Sequence, residues 1–268
     1  MNWDEFADWG RHFSDWGADY HKSIRELPVR AQVEPGDTAI QLPDTPPEHG
    51  EAMDRIFEDF EKIIMPGMTH HQHPGFFAYF PTNATPPSIL AEYLIANLSA
   101  QCMLWQTAPS ANELETRVLD WVRQALGLSD EFQGVLQGSA SEATLVATLT
   151  MRERALSWTG NSTGLTGRER LRVYTTNEVH SSIDRAMWVS GIGQDNLVRV
   201  KTRGPLRAMD AQDLKSCIED DLAQGFRPAG IIACVGGTST GAVDDIADVV
   251  RVAAEFALFV HVDAAWAG

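Results

Sequence analysis

The chain has 268 residues, of which 44% are hydrophobic and 22% are charged, a composition typical of a globular protein that can bury a core. Its net charge is −16, and a negative field of this kind repels phosphate backbones and anionic membrane surfaces. The sequence also has no run of about 18 uncharged apolar residues. These features argue against nucleic acid or a membrane as the partner.

The amino terminus lacks the basic start and the apolar stretch of a secretory signal. Three cysteines, Cys102, Cys217 and Cys234, leave an odd thiol and have no metal-ligand spacing, as expected in a reducing compartment. We therefore expect a cytoplasmic protein whose cysteines lie in the core.

The first part of the chain has a helical pattern rich in aromatic residues. Residues 2–26 place aromatic and apolar side chains close to helical spacing, with charged residues between them. An extended connector over residues 27–50 and a second helix from Glu51 to Ile64 follow. Because so much aromatic surface must be covered, we expect this arm to pack either on its own domain or across a dimer.

From residue 86 onward, helical stretches alternate with short apolar strands. A capping box at Ser110 to Glu113 predicts the start of a helix that Gly127 ends. Strands are predicted at 133–137, 171–175, 197–200, 230–235 and 257–262. Helices are predicted near 140–156, 181–190, 210–224 and 245–256, and residues 159–170 are predicted to form a surface loop. This alternation predicts an α/β fold with a mostly parallel sheet covered on both faces.

An aspartate follows the last predicted strand. The strand from Ala257 to Val262 is almost wholly apolar and delivers Asp263 at its carboxyl end, where open α/β sheets bind ligands. Small residues follow, and they leave room for a flat ligand. The carboxylate could equally cap a helix, so the sequence alone leaves both interpretations open.

Three further segments are expected at the same sheet edge. Gly138 to Glu142 opens a helix, which is either an ordinary cap or a cup for a phosphate group. His180 could stack on an aromatic ring, move a proton or serve a structural purpose. The segment from Gly236 to Gly241 is either a flexible turn or a source of hydroxyl groups for a ligand.

Two other kinds of site have little support. His70, His71 and His73 lack helical i, i+4 spacing and nearby carboxylate or thiolate ligands, so no metal site is predicted. No Gly-Lys-Ser/Thr string occurs, and Asn196 stands where a dinucleotide motif would need its third glycine.

An anion cup, a flat-lying histidine, a hydroxyl loop and an acid at one sheet edge would together suit a phosphorylated heterocycle with a basic ring nitrogen. Several strings add to this pattern: residues 73–82, Glu113-Leu114-Glu115, residues 137–144, His180-Ser181-Ser182 and residues 261–268. Together they resemble the group II pyridoxal-phosphate-dependent decarboxylases, and within them the aromatic-L-amino-acid decarboxylases.

This resemblance implies a fold-type I transferase-like architecture with pyridoxal 5′-phosphate (PLP) as the cofactor. It also implies decarboxylation of an aromatic L-amino acid to its amine and CO2, with His180 and Asp263 as the catalytic residues. Asp263 would pair with the ring nitrogen and keep it cationic, which lets the ring accept electrons when CO2 leaves. The implied cofactor-binding residues are Ala140, Ser141, His180, Thr238, Asp263 and Ala265.

The resemblance also implies a substrate segment and a dimer. Tyr79, Phe80, Pro81 and Thr82 would hold the aromatic side chain of the substrate. We accordingly divide the chain into a helical arm with the substrate segment, residues 1–85, and an incomplete PLP-binding domain, residues 86–268. The arm would join two copies as a homodimer.

One element of the family pattern is absent from this chain. The lysine that holds the cofactor lies in a Ser/Asn-x-His-Lys string beyond the aspartate, and none of Lys22, Lys62, Lys201 or Lys215 has that context. The chain therefore resembles the front portion of a decarboxylase, and we expect it to be inactive alone. Three alternatives stay open: an aldehyde-forming enzyme, a decarboxylase of acidic amino acids, and a non-catalytic fragment.

Overall fold

The computed structural model describes residues 1–80 and 82–268. Its internal contacts divide the chain into two units, Met1–Gln101 and Cys102–Gly268. None of the described helices is both long enough and apolar enough to cross a membrane.

The first unit is helical. It contains α1 (Trp3–Ser23), α2 (Met53–Asp59) and α3 (Pro86–Leu98), and α2 continues into a π-helical turn, Phe60–Ile64. Asn2 caps α1 through a reciprocal capping box with Glu5. The predicted helices at 2–26 and 51–64 are confirmed, and the connector between them contains one short 3₁₀ turn, Ala39–Gln41.

The aromatic face of α1 packs within this unit. Trp9, Phe13 and Trp16 lie beside Phe57 of α2, with ring centroids 5.8, 5.5 and 6.3 Å away. The two helices of the arm therefore cover part of each other's aromatic surface, and packing of the arm on its own domain or across a dimer stays a prediction. The face is only partly covered, since Trp3 remains 80% exposed.

The second unit contains six helices and six strands. The helices are α4 (Pro109–Ala125), α5 (Ala140–Ala155), α6 (Gly160–Thr163), α7 (Ser182–Val189), α8 (Ala211–Ala223) and α9 (Ile246–Glu255). The strands are β1 (Leu171–Thr175), β2 (Leu197–Arg199), β3 (Thr202–Arg203), β4 (Ala208–Met209), β5 (Arg227–Cys234) and β6 (Phe259–Asp263).

Four of these strands form a parallel sheet in the order β2-β1-β5-β6. Val173 of β1 pairs with Leu197 and Gly230, while Cys234 of β5 pairs with Asp263 of β6. This register confirms the parallel α/β fold that the alternating pattern predicts. A small antiparallel hairpin, β3 with β4, was not predicted.

The sheet is buried on both faces. One core joins Tyr174 and Ile231 to α8 and α9, and the other joins Val173 and Ile232 to α5 and α7. Adjacent strand residues thus enter opposite cores, because side chains alternate along a strand. This explains why the strands are nearly continuous apolar runs in sequence.

Some predictions of local structure are wrong. Residues 133–137 do not form a strand, since none of the described strands pairs with them, and Val135 stays 66% exposed. Ser110 does not cap α4, because Pro109 already occupies the first turn and Ala108 is the cap residue. The loop over 159–170 contains the short helix α6. Cys102 is exposed rather than in the core.

A buried carboxylate links β5 to the hairpin. Asp244 is 4% exposed, and its two oxygens accept hydrogen bonds from the backbone N–H groups of Met209 and Cys234, each at 2.7 Å. Burial raises the pKa of Asp244, and the two hydrogen bonds partly offset this rise. The carboxylate thereby fixes the end of the strand next to β6.

Asp244→Asn should therefore destabilise the protein, because the new amide N–H₂ would face a backbone donor and leave it unsatisfied. We expect a loss of about 2 kcal/mol in the free energy of unfolding, measured by chemical denaturation. Asp220→Asn, at an exposed position of α8, is the control. Equal unfolding midpoints for the two variants would contradict this role.

Candidate functional site

The carboxyl ends of β1, β5 and β6 lie side by side at one edge of the sheet. The backbone N–H of Val235 donates to the carbonyl of Asp263 at 2.9 Å, which extends the pairing of β5 and β6 to this edge. The segments that follow the three strands contain His180, Thr238 and Ala265, all exposed. The structure thus brings these predicted site residues to the same edge.

Helix α5 points its amino end toward this edge. Met151, in its second half, packs on Gly230 near the start of β5, so that a Cβ on Gly230 would lie 2.7 Å from its Sδ. The helix therefore runs against the strand direction. Ser139 caps it by accepting from the N–H of Glu142 at 3.2 Å, as predicted, although the reverse bond of the capping box is not formed.

The first N–H groups of α5, those of Ala140 and Ser141, lack acceptors within the helix. Both residues are exposed, and the positive end of the helix dipole adds to their attraction for an anion. The carboxylate of Glu142 folds back over Gly138, where a Cβ would lie 2.5 Å from its Oε2. The helix start therefore offers hydrogen-bond donors that suit a phosphate group. Gly138 has no side chain, and this leaves room for the carboxylate of Glu142.

Asp263 is half-buried at the end of β6. Its Oδ1 accepts one hydrogen bond, from the N–H of Ala265 at 3.3 Å, in a local Asx-type turn. Among the described residues no cation pairs with this carboxylate. A carboxylate accepts up to about four hydrogen bonds, so Asp263 has acceptor capacity left for a ligand.

Ser182, at the start of α7, contacts one ring nitrogen of His180. Nδ1 of His180 lies 3.0 Å from Oγ of Ser182 and accepts the Ser182 backbone N–H at 3.2 Å. Ser182 is 4% exposed, whereas His180 is exposed. The sequence did not assign a role to Ser182, although its place two residues after the histidine, at a helix start, is the signal that could have indicated one.

The ends of the loop from Gly236 to Gly241 are joined by backbone hydrogen bonds. The N–H groups of Gly236 and Gly237 donate to the carbonyl of Ala242 at 2.8 and 2.9 Å. A Cβ on Gly237 would lie 2.6 Å from the carbonyl oxygen of Glu178, and one on Gly236 would lie 2.5 Å from Cβ of Ala267. Glycine is needed here because the segments following all three strands touch one another.

The edge carries a negative electrostatic field. Burial, together with the carboxylates of Asp244, Asp263 and Glu178, raises the pKa of the Cys234 thiol to about 12. A thiolate nucleophile is therefore not available at neutral pH. Glu178 is paired with Arg207 at 3.4 Å, whereas Asp263 accepts only a backbone N–H, so its carboxylate can still pair with a cationic ligand group.

His261 lies on the same side of β6 as Asp263, because residues two apart on a strand share a face. Its Nε2 is buried and has no hydrogen-bond partner in the part of the chain that the structure describes. Burial lowers the pKa of His261, and the nearby charge of Asp263 opposes the shift. This buried nitrogen, close to Asp263, could form a hydrogen bond with a ligand or an ordered water.

A comparison with protein families agrees with this geometry. Residues 35–268 match the pyridoxal-dependent decarboxylase conserved domain. The chain belongs to this family. The predicted family membership, the α/β fold and the pyridoxal cofactor type are thereby confirmed.

Individual decarboxylase-family relatives align along almost the whole chain. The phenylacetaldehyde synthase of Arabidopsis thaliana is 38% identical, and the match covers 100% of this chain and 55% of the relative. Tryptophan decarboxylase 2 of Oryza sativa subsp. japonica is 37% identical, with 100% and 54% covered. The chain therefore spans about half the length of the curated relatives it matches.

Solved structures of the family have the same fold. An Oryza sativa TDC crystallised with PLP and tryptamine matches with a TM-score of 0.93 at 33% identity, covering 100% of this chain and 56% of that one. The Catharanthus roseus tryptophan decarboxylase in complex with L-tryptophan matches with a TM-score of 0.92 at 33% identity, covering 100% and 58%.

The residues of this chain fit the decarboxylase family's cofactor on structural grounds. The start of α5 offers free N–H groups, Asp263 offers an unpaired acceptor in a negative field, and Nε2 of His261 is a buried polar atom without a partner. Small and exposed side chains surround them. The role of each residue stays a prediction.

Other predicted features belong to the first unit. Tyr79, Phe80 and Thr82 belong to the first unit, and their part in substrate binding stays a prediction, as does the division of the chain after residue 85. Pro81 lies outside the described residues. Each of the three histidines near them makes a local contact: His70 with Tyr20, His73 with the N–H of Gly75, and His71 with Phe76.

Each of the four lysines forms an ion pair with an acidic side chain. Their partners are Asp19 for Lys22, Glu58 for Lys62, Asp213 for Lys201 and Glu255 for Lys215. A surface cleft of about 310 Å³ near Lys215 is likewise lined by cations that already have acidic partners. Neither feature competes with the carboxyl edge as the candidate site.

Burial of His261 gives a testable pH dependence. Because its folded-state pKa is lowered, the unfolded chain takes up a proton first as the pH falls below about 6.5, and stability is lost with acidification. His261→Gln should reduce the slope of unfolding free energy against pH in this range, measured by urea denaturation. His49→Gln, at an exposed position, should leave the slope unchanged. An unaltered slope in the His261 variant would contradict the assignment.

Proposed function

We propose that the chain forms the cofactor-binding part of a PLP-dependent decarboxylase that converts an aromatic L-amino acid to its amine and CO2. The observation that carries the proposal is the half-buried, unpaired carboxylate of Asp263 at the carboxyl edge. A carboxylate in that position suits a protonated ring nitrogen, because opposite charges close together favour the charged form of each group.

Each candidate residue then has a definite task. The N–H groups of Ala140 and Ser141 would bind the phosphate. His180 and Ala265 would lie on opposite faces of the ring. Thr238 would contact the edge of the ring. PLP, when bound, supplies an electron sink for bond cleavage at the substrate's α-carbon. Asp263 would keep the ring nitrogen protonated, and His180 would exclude water from one face and hold a proton at Nε2.

The substrate class rests on residues 73–82. This segment holds three phenylalanines and one tyrosine but no lysine or arginine, and a second carboxylate on the substrate would require such a cation. Aromatic amino acids therefore fit better than acidic ones. The tryptophan decarboxylase of Catharanthus roseus in complex with L-tryptophan supports the same class.

A second candidate is an aldehyde-forming enzyme of the same family. The specific observation that favours it is the 38% identity to the phenylacetaldehyde synthase of Arabidopsis thaliana over the whole chain. Product analysis separates the two, by assaying amine and aldehyde from a panel of aromatic amino acids in a protein that carries this chain together with the family's lysine.

Asp263→Asn should weaken PLP binding to the 268-residue chain by about tenfold or more, since a charge-assisted contact is lost. The measurement is titration of PLP absorbance and of intrinsic tryptophan fluorescence. Asp195→Asn, at an exposed surface position, should bind like the unmodified chain. Equal affinities in the Asp263 and Asp195 variants would refute the role of Asp263.

Borohydride reduction of the PLP-treated chain tests whether the chain alone holds the cofactor covalently. Because none of the four lysines has the family's Ser/Asn-x-His-Lys context, borohydride treatment should not fix the cofactor to any one lysine of the chain. A cofactor-modified peptide found by mass spectrometry would show otherwise.

We further propose a cytoplasmic homodimer assembled through the arm. Helix α1 of the arm leaves Trp3 80% exposed. The next helix, α3, which follows the arm, leaves Leu90, Leu94 and Leu98 between 57% and 75% exposed and carries one charged residue, Glu92. Contiguous apolar surface of this kind usually marks an interface. A second copy of the chain is the partner that the proposal commits to.

Trp3→Glu should shift the chain from dimer to monomer in sedimentation equilibrium, because it places a charge in the proposed interface. Ser14→Glu adds the same charge at another exposed position of α1 and should leave the dimer intact. A monomer in the unmodified chain, or equal dissociation of both variants, would argue against the arm as the interface.

A further inference from the structure

Ser182 presents two hydrogen-bonding groups to one ring nitrogen of His180. The backbone N–H lies 3.2 Å from Nδ1 and the hydroxyl oxygen lies 3.0 Å from it. Ser182 is the first residue of α7 and is 4% exposed, so its position is set by the packed helix. The nitrogen that faces the protein is therefore Nδ1, and Nε2 is the one that faces away from this contact.

A backbone N–H can only donate, so the nitrogen that receives it must present a lone pair. In a neutral imidazole one nitrogen carries the proton and the other accepts. With Nδ1 as the acceptor, the proton lies on Nε2, and the Ser182 hydroxyl is then free to donate to Nδ1 as a second hydrogen bond. A proton on Nδ1 would instead point at the N–H of Ser182.

We propose that Ser182 is a positioning residue that holds His180 as the Nε2-protonated tautomer and fixes the plane of its ring. The proposal deepens the proposed function, since it defines which His180 nitrogen offers a proton to a ligand at the carboxyl edge. Ser182 does not itself touch the ligand in this scheme. It binds the His180 nitrogen that faces away from the site as a donor, whereas the carboxylates and carbonyls that fix the tautomer of other functional histidines act as acceptors.

The test is a tautomer measurement that needs neither cofactor nor activity. Two-bond ¹H–¹⁵N correlation spectra of the chain, labelled with ¹⁵N-histidine, report the protonated nitrogen of each ring. The His180 signals are assigned by their loss in His180→Asn. At neutral pH the unmodified chain should show His180 with its proton on Nε2, and a predominant Nδ1–H signal would overturn the proposal without any change at Ser182.

Substitutions then separate the hydroxyl from the helix. Ser182→Ala removes one of the two donors and should raise the Nδ1–H fraction of His180 about fivefold, the effect of one ordinary hydrogen bond. Ser182→Thr retains both donors and should resemble the unmodified chain. Ser181→Ala, at a neighbouring hydroxyl that makes no cap bond to α7, is the matched control.

The outcomes also separate this proposal from the proposed function. If Ser182→Ala and Ser181→Ala give the same tautomer populations as the unmodified chain, the hydroxyl has no positioning role. PLP titration of the unmodified chain is scored separately, because tautomer control can hold even where no cofactor binds. If the chain binds PLP but the two tautomers of His180 are about equally populated, Ser182 has no positioning role and the proposed function is unaffected.

Discussion

The parallel pairing of β1, β5 and β6 is the constraint on which the candidate site depends. Parallel strands end at the same edge, so His180, Thr238 and Ala265 come together although they are far apart in sequence. Each crossover helix then returns along a face of the sheet and fills one of the two cores. Burial of these cores is what makes the edge rigid enough to hold side chains in a fixed relation.

Buried and half-buried carboxylates then give this edge its chemical character. Both oxygens of Asp244 accept a hydrogen bond from a backbone N–H at 2.7 Å. Asp263 accepts a single, longer hydrogen bond from a backbone N–H, at 3.3 Å. The two carboxylates therefore differ in function. The first maintains the end of β5, and the second remains available to a ligand. Burial and the nearby carboxylates raise the pKa of Cys234, which removes the thiol as a competing nucleophile.

The sequence predicted those parts of the fold that depend on local pattern. Apolar runs marked β1 and β5, which are buried on both faces, and β6, which is half-buried, and the carboxyl-edge position of Asp263 followed directly. The sequence pattern gave wrong strand predictions where the structure depends on pairing between strands. The residues at 133–137 have the composition of a strand but no strand beside them, and the two-residue pairs of β3 and β4 are too short to leave a periodic signal.

The candidate site could be predicted to the level of residues but not of atoms. Residue type and position indicated an acid, a histidine and a helix start, and these need only the order of strands and loops. Which nitrogen of His180 faces outward depends on a hydrogen bond from Ser182, two residues away, and no composition rule contains that information. The unpartnered Nε2 of His261 likewise appears only once β6 is packed, because the same side chain on an exposed strand would be solvated. Side-chain chemistry at this edge is thus set by packing that the sequence specifies only through the whole fold.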